Sequence, residues 1–356
     1  MTNKKFKLAA MSLATAVAVS TVGPSASAVT YYLGNGDITV DQDDTRGAFS
    51  YQGEDQGDKN RTYVNEDKAD KGTIYVKDGN APKEEVPSTT DNSNNGTEVP
   101  TPTDHTTDSS ADNTKNSSTS ETTTTNTITV KEDVKDATIV VDGVNVDTTS
   151  TPTEVPADTK EDKTIIKVGE GADVDLTVKD SNLTTGGNGI DIGVNLKDDD
   201  DNKETNVDLT LDNTKINLTE NATAGINARD NSDVDITLKG DNTIDGSEAI
   251  DKVTEGGEHD ISKDNVNIEG IRVGGEGASD SSDASEGANT KLTISGGVEK
   301  TETAETDTEE TESSAGGSLT ISDTTGGLVM ADGSDVEITD GANVTIAVSY
   351  THLRAH

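Results

Sequence analysis

Apolar and polar residues alternate with period two over short stretches of this chain, and the stretches recur. Three copies are almost identical: Val174-Asp175-Leu176-Thr177-Val178, Val207-Asp208-Leu209-Thr210-Leu211 and Val234-Asp235-Ile236-Thr237-Leu238. Strict alternation marks a strand with one buried face. The copies start 33 and 27 residues apart, a period typical of solenoids. An earlier copy is Ala137-Thr138-Ile139-Val140-Val141. Looser ones are Asn265-Val266-Asn267-Ile268, Lys291-Leu292-Thr293-Ile294, Ser318-Leu319-Thr320-Ile321 and Val336-Glu337-Ile338-Thr339. Between them runs a second strand phrase that begins with glycine: Gly189-Ile190-Asp191-Ile192, Gly225-Ile226-Asn227-Ala228, Gly270-Ile271-Arg272-Val273 and Gly327-Leu328-Val329-Met330. Two strand types joined by Gly/Asn/Asp turns describe the coil of a parallel β-helix, in which stacking makes the core continuous. The expected fold is therefore all-β, a right-handed parallel β-helix (β-solenoid) with disordered insertions. Its repeats run over 127–347.

The flanking segments read differently. Residues 1–28 form a Sec-type secretory signal: Lys4, Lys5 and Lys7, then an apolar stretch, then Ala26-Ser27-Ala28 as a small-x-small cleavage site. No later segment reads as a membrane span, so the mature chain is expected to be secreted or on a bacterial cell surface. Residues 29–78 carry five of the six Tyr and two strand phrases, Asp37-Ile38-Thr39-Val40 and Gly72-Thr73-Ile74-Tyr75-Val76. They are either a small β module or the first solenoid turns. Residues 79–126 are rich in Thr, Ser, Asn and Asp. Between Ser88 and Asn126, 20 of 39 residues are Ser or Thr, too few apolar groups to offset the entropy of ordering, so an insertion without fixed structure is expected. Acidic inserts at 198–204, 276–289 and 297–316 should project as solvated loops. The last nine residues, 348–356, break the pattern and read as a non-native tail, with the natural protein continuing beyond about Ala347. A cell-wall anchoring signal would be hidden there.

Charge narrows the partners. The net charge is −41, and −44 once the signal's three lysines are removed. Such a chain has no attraction for nucleic acid or anionic lipid. An anionic polysaccharide would be repelled unless Ca²⁺ bridged the two. With no cysteine there is no disulfide, thiolate metal site or Cys nucleophile. The core must be built from Val, Ile and Leu, which suits sheets.

Candidate chemistry follows from the alternation. If Val174, Leu176 and Val178 point inward, Asp175 and Thr177 point outward. Stacked in register, Asp175, Asp208 and Asp235 form a carboxylate column with steps of about 4.8 Å, and Thr177, Thr210 and Thr237 a parallel hydroxyl column. Carboxylates suit a hard cation, so the three Asp are candidate Ca²⁺ ligands; a solvated charge ladder is the alternative. Gly186-Gly187-Asn188-Gly189-Ile190-Asp191 partly matches a Ca²⁺-binding nonapeptide, without a tandem copy. Asp241 to Gly246 starts like an EF-hand loop, but Lys252 stands where Glu is needed. No catalytic Ser/His/Asp set or nucleophile elbow is present. Arg229 and Arg272 are the only Arg in the repeats, and Arg272 is expected to pair with a neighbouring acid. The repeats offer no aromatic platform for sugar stacking.

The segment from about 126 to 347 resembles bacterial secreted β-helix proteins described as carbohydrate-binding domain-containing. The phrases that carry the likeness are Ile236-Thr237-Leu238-Lys239-Gly240-Asp241-Asn242-Thr243-Ile244 and Lys291-Leu292-Thr293-Ile294-Ser295-Gly296-Gly297. In that family the latter runs straight on as Gly-Ser-Leu-Thr-Ile, whereas here Gly317-Ser318-Leu319-Thr320-Ile321 follows an acidic insert. The resemblance implies a cell-surface or secreted adhesin-like β-helix, with polysaccharide binding and bound Ca²⁺ in some members; the expected partner is polysaccharide or a host or cell-surface glycan. It transfers no residue role. The expectation is a non-enzymatic binding or adhesion module. A structural surface or stalk protein without a small ligand, or a polysaccharide lyase-like enzyme, is the alternative.

Overall fold

A computed structural model describes residues 28–44, 46–63, 72–80, 123–149, 163–197, 203–250, 267–275, 289–297, 316–339 and 341–347. These residues are nearly all β, with one α-helical turn at 247–250 and two 3-10 turns at Leu33–Asn35 and Gly57–Lys59, and they form three sheets. The first has eight parallel strands: Val29–Tyr32, Thr73–Lys77, Ala137–Asp142, Asp173–Lys179, Thr205–Asp212, Ser232–Lys239, Lys291–Gly296 and Asp335–Thr339. The second has six: Asn145–Asp147, Asn182–Thr185, Lys215–Leu218, Asp241–Asp245, Ser318–Ser322 and Asn343–Ala347. The third runs from Gly326–Met330 back through Glu269–Val273, Ala224–Ala228, Asn188–Val194, Ile166–Gly169 and Ile128–Val130 to Ile38–Asp43. It ends in two antiparallel strands, Gly47–Gln52 and Thr62–Tyr63. From Ala137 to Ala347 the chain visits the first, second and third sheets in that fixed order, one strand each, an arrangement compatible with a β-solenoid.

The alternation explains the burial. Val174, Leu176 and Val178, Val207, Leu209 and Leu211, and Val234, Ile236 and Leu238 all turn inward and are at most 2 % exposed. They join inward residues of the other two sheets, such as Leu183 and Ile190, in one continuous apolar cluster. Corners between the first two sheets use left-handed residues at equivalent places, Gly143, Asp180, Asn213 and Gly240. Asp and Asn tolerate that conformation better than most residues because their short side chains bond locally.

The recurring glycine of the second phrase has a steric cause. A Cβ on Gly189 would lie 2.8 Å from Ile216 Cγ2; on Gly225, 2.6 Å from Ile244 Cγ2; on Gly270, 2.3 Å from Ile321 Cγ2. Each would also meet a backbone oxygen of the next strand, Gly225 O, Gly270 O and Gly327 O. A glycine column in the third sheet thus accommodates an isoleucine column in the second.

Two expectations need correction. The two-strand coil becomes three, because the second sheet is made of short strands that follow the first sheet's almost at once. Accordingly Ser318–Ser322 is not a copy of the first phrase: it pairs with Asp241–Asp245 in the second sheet. The first-sheet strand after Ser232–Lys239 is Lys291–Gly296, so Asn267 and Ile268 lead instead into the third sheet. Residues 29–78 join the same sheets as the repeats: Val29–Tyr32 pairs with Thr73–Lys77, and Ile38–Asp43 with Ile128–Val130. Residues 123–126 are also tied in, through Thr124 to Val146 and Asn126 Nδ2 to Leu33 O. The signal at 1–27, residues 81–122 and the tail at 348–356 lie outside the described residues, as do most of the three acidic inserts. Among the described residues no helix is long and apolar enough to cross a membrane.

Candidate functional site: the outer face of the first sheet

The parallel register brings the sequence candidates together. Asp175, Asp208 and Asp235 are direct Cα partners across three adjacent strands. The column continues outward as Thr138 on one side, and as Thr293 and then Glu337 on the other. Beside it stand Thr177, Thr210, Thr237, Ser295 and Thr339. A third column holds Asp173, Asn206, Asp233, Lys291 and Asp335. In-register parallel pairing gives every rung the same offset, so a repeated phrase becomes repeated surface chemistry.

A shallow groove of about 440 Å³ lies along this face. Asp208, Thr210, Asp235, Thr237, Thr293, Ser295 and Thr339 line it. A smaller hollow of about 110 Å³ adjoins it at Asp173, Asn206, Asp208, Asp233 and Asp235. The groove is a strip of hydroxyl and carboxylate groups with no aromatic side chain in its lining.

The middle carboxylate carries the electrostatic load. Partial burial among its neighbours pushes the Asp208 carboxyl above the usual carboxylate range; the charges of Asp175 and Asp235, a side-chain hydrogen bond with Asp175, and the charge of Asp173 add to the rise. At one end of the triplet Thr138 Oγ1 donates to Asp175 Oδ2 at 3.4 Å. Cationic groups nearby are few: Lys291 Nζ reaches Asp233 at 3.5 Å. Carboxylate oxygens are suitable donors for Ca²⁺, yet among the described residues no group of three or more His, Cys, Asp or Glu is arranged to hold a metal ion. An ion on this column would need part of its ligand shell from a bound molecule or water.

The remaining candidates are engaged in the third sheet. Asp191, the acid of the partial nonapeptide, is 3 % exposed. Arg229 grips it in a two-pronged pair, Nε to Oδ1 and Nη2 to Oδ2, both 2.9 Å. Asn188 Nδ2 and Asn227 Nδ2 also donate to it, each at 2.9 Å. Arg272 pairs with Glu269 three residues earlier, both buried. Asp191, Asn227 and Arg272 are themselves successive partners, so the third sheet carries a buried polar column whose charges are internally paired. Sequence reasoning missed one tie. Glu132, 4 % exposed, accepts the backbone N–H of Leu196 at 2.6 Å and of Lys197 at 2.7 Å, and pairs with Lys197 Nζ at 2.9 Å. It lies outside every strand phrase, and its partners are 64 and 65 residues away, so no local pattern announces it.

Comparison with family models, curated proteins and solved structures found no match.

Proposed function

We propose that the chain is an exported right-handed parallel β-helix that serves at the cell surface or in the medium as a binding or adhesion module for polysaccharide, and that the outer face of the first sheet is the binding face. The observation that carries this reading is the in-register strip of Asp, Thr and Ser along the groove. Sugar hydroxyls both donate and accept hydrogen bonds. Side-chain hydroxyls do the same, and carboxylates accept strongly. A polymer laid across the strands would meet the same pair of groups at every rung. A neutral or amine-bearing glycan fits the face directly. An anionic one requires Ca²⁺ to bridge its acids to the Asp column. Arg229 and Arg272 are engaged with Asp191 and Glu269 and do not line the groove.

A glycan array probed with the mature chain, in Ca²⁺ and again in EDTA, tests the reading. The doubly substituted Thr210→Val/Thr237→Val chain should lose at least tenfold in affinity on any positive glycan while keeping its circular dichroism spectrum. No binding in either condition, or binding that ignores the substitutions, refutes it. Release of unsaturated oligosaccharides from a bound polymer would replace it with a lyase.

A further inference from the structure

The repeats alone offer no aromatic side chain, but the register extends their outer face into the N-terminal strands, where one stands. The column of Thr177, Thr210, Thr237, Ser295 and Thr339 continues the other way as Val140, then Tyr75, then Thr30. Tyr75 is half-buried and points outward, since its chain neighbours Ile74 and Val76 are buried in the core. Tyr32, also outward, lies diagonal to it on the next strand, where its direct partner is Lys77. Among the described residues no ring or cation stacks on either tyrosine; such contacts are made within Phe49, Tyr51, Tyr63, Arg46 and Arg61. Charge also changes along the face. The carboxylate column of Asp175, Asp208 and Asp235 runs out into Thr138 and then Thr73. On the other side of Tyr75 a further column alternates in sign, Lys77, Asp142, Lys179, Asp212 and Lys239, with Lys77 Nζ 3.1 Å from Asp142 Oδ2. The Tyr75 end is therefore locally neutral.

We propose that Tyr75 is the anchoring subsite of the binding face and that its occupant is a neutral glycan of β-linked hexoses. This rests on the reading of that face as a glycan site and names the class of sugar it takes. A hexose whose hydroxyls are equatorial presents C–H bonds on its ring faces, and an aromatic side chain offers broad apolar area to cover them. Val140 carries that apolar strip one strand further, and the Thr and Ser hydroxyls beyond it exchange hydrogen bonds with the sugar edges. A charged sugar gains no counter-charge at Tyr75, because the nearest charges, Lys77 and Asp142, already pair. From Tyr75 to Thr339 the column crosses six strand steps, a span of about 29 Å at the usual strand spacing. It therefore takes a chain of several sugars and fixes where one end lies.

Titration calorimetry of residues 29–356 with a β-1,4-linked glucose hexamer tests this, beside a glucosamine hexamer and polygalacturonate with Ca²⁺. Tyr75→Thr continues the hydroxyl column with a strand-favouring residue and should weaken glucose-hexamer binding about tenfold or more. Tyr75→Phe keeps the ring and should stay within about twofold of wild type. Because Tyr75→Thr could loosen its strand, a second readout uses the unaltered chain. The ring resonances of Tyr75, assigned by their loss in Tyr75→Phe, should shift when the glucose hexamer is added. Unchanged affinity in Tyr75→Thr, or unmoved Tyr75 resonances with the hexamer bound, overturns the aromatic subsite and leaves the polysaccharide reading standing. Equal or tighter binding of the glucosamine hexamer or polygalacturonate overturns the choice of a neutral sugar. No binding of any of the three also overturns the proposal, and the glycan array then decides whether the wider reading survives.

Discussion

Replacing Asp208 by Asn should stabilise the protein, and by twice as much as the same change at Asp175 or Asp235. The ratio comes from the register. Asp208 has a carboxylate neighbour on each side, whereas within the triplet the outer two have one each. At a strand spacing of about 4.8 Å, two unit charges repel by about 0.9 kcal/mol in water. Screening over a Debye length of about 8 Å at physiological ionic strength reduces this to about 0.5 kcal/mol per pair. Asp208→Asn removes two pairs, for a gain of about 1 kcal/mol. Asp175→Asn and Asp235→Asn each remove one, for about 0.5 kcal/mol. All three groups are exposed, so these are upper values. Asn keeps the volume and the outward position, which leaves packing out of the comparison. Urea denaturation of the three variants at 0.05 M and 1 M salt reads the effect, with midpoints compared at constant slope. The pH dependence has a definite sign. The folded pKa of Asp208 is raised, so the native state binds more protons than the unfolded state in the window just above the ordinary Asp value. Wild-type stability therefore rises as pH falls through that window, and the advantage of Asp208→Asn shrinks. Equal gains at all three positions, or a gain unchanged in 1 M salt, would refute the picture of an interacting column.

Two further outcomes follow from the packing. Gly225→Ala should cost about 1–3 kcal/mol by overpacking, since its Cβ would lie 2.6 Å from Ile244 Cγ2 and 2.7 Å from Gly270 O; a denaturation midpoint within error of wild type would contradict the steric reading of the glycine column. Glu132 behaves oppositely to Asp208: although burial raises its pKa, the side-chain bond from Lys197 and the two backbone N–H groups outweigh that and hold it below the ordinary value. Its contribution is present above the unfolded pKa and disappears as pH falls through the folded one. Glu132→Gln should therefore destabilise the protein at neutral pH and much less under acid, and a pH-independent loss would count against the charged tie.

The sequence made the first sheet legible because its strands are long enough to show alternation: Thr205–Asp212 and Ser232–Lys239 have eight residues each. The second sheet was not legible. Asn182–Thr185 and Lys215–Leu218 have four residues each, too short to show a period, and each follows the preceding first-sheet strand after only two residues, so nothing sets them apart. The columns of Asp and Thr could be anticipated because a parallel in-register stack copies sequence repeats onto a surface. The fate of Asp191 could not. Its partner Arg229 is 38 residues away and belongs to the next rung, a contact that only stacking creates. The same holds for Glu132 and Lys197.

Val234 and Leu292 are direct partners although 58 residues separate them, while Val174 and Val207 pair across 33. Rung spacing is set by the backbone ladder, and the length of chain spent between rungs leaves it unchanged. The fold therefore behaves as a ruler whose graduations survive any amount of material added at the corners. A corner segment could be lengthened, shortened or exchanged without shifting one hydroxyl of the face relative to the next. Recognition by pitch and decoration by loops can then diverge independently in one molecule.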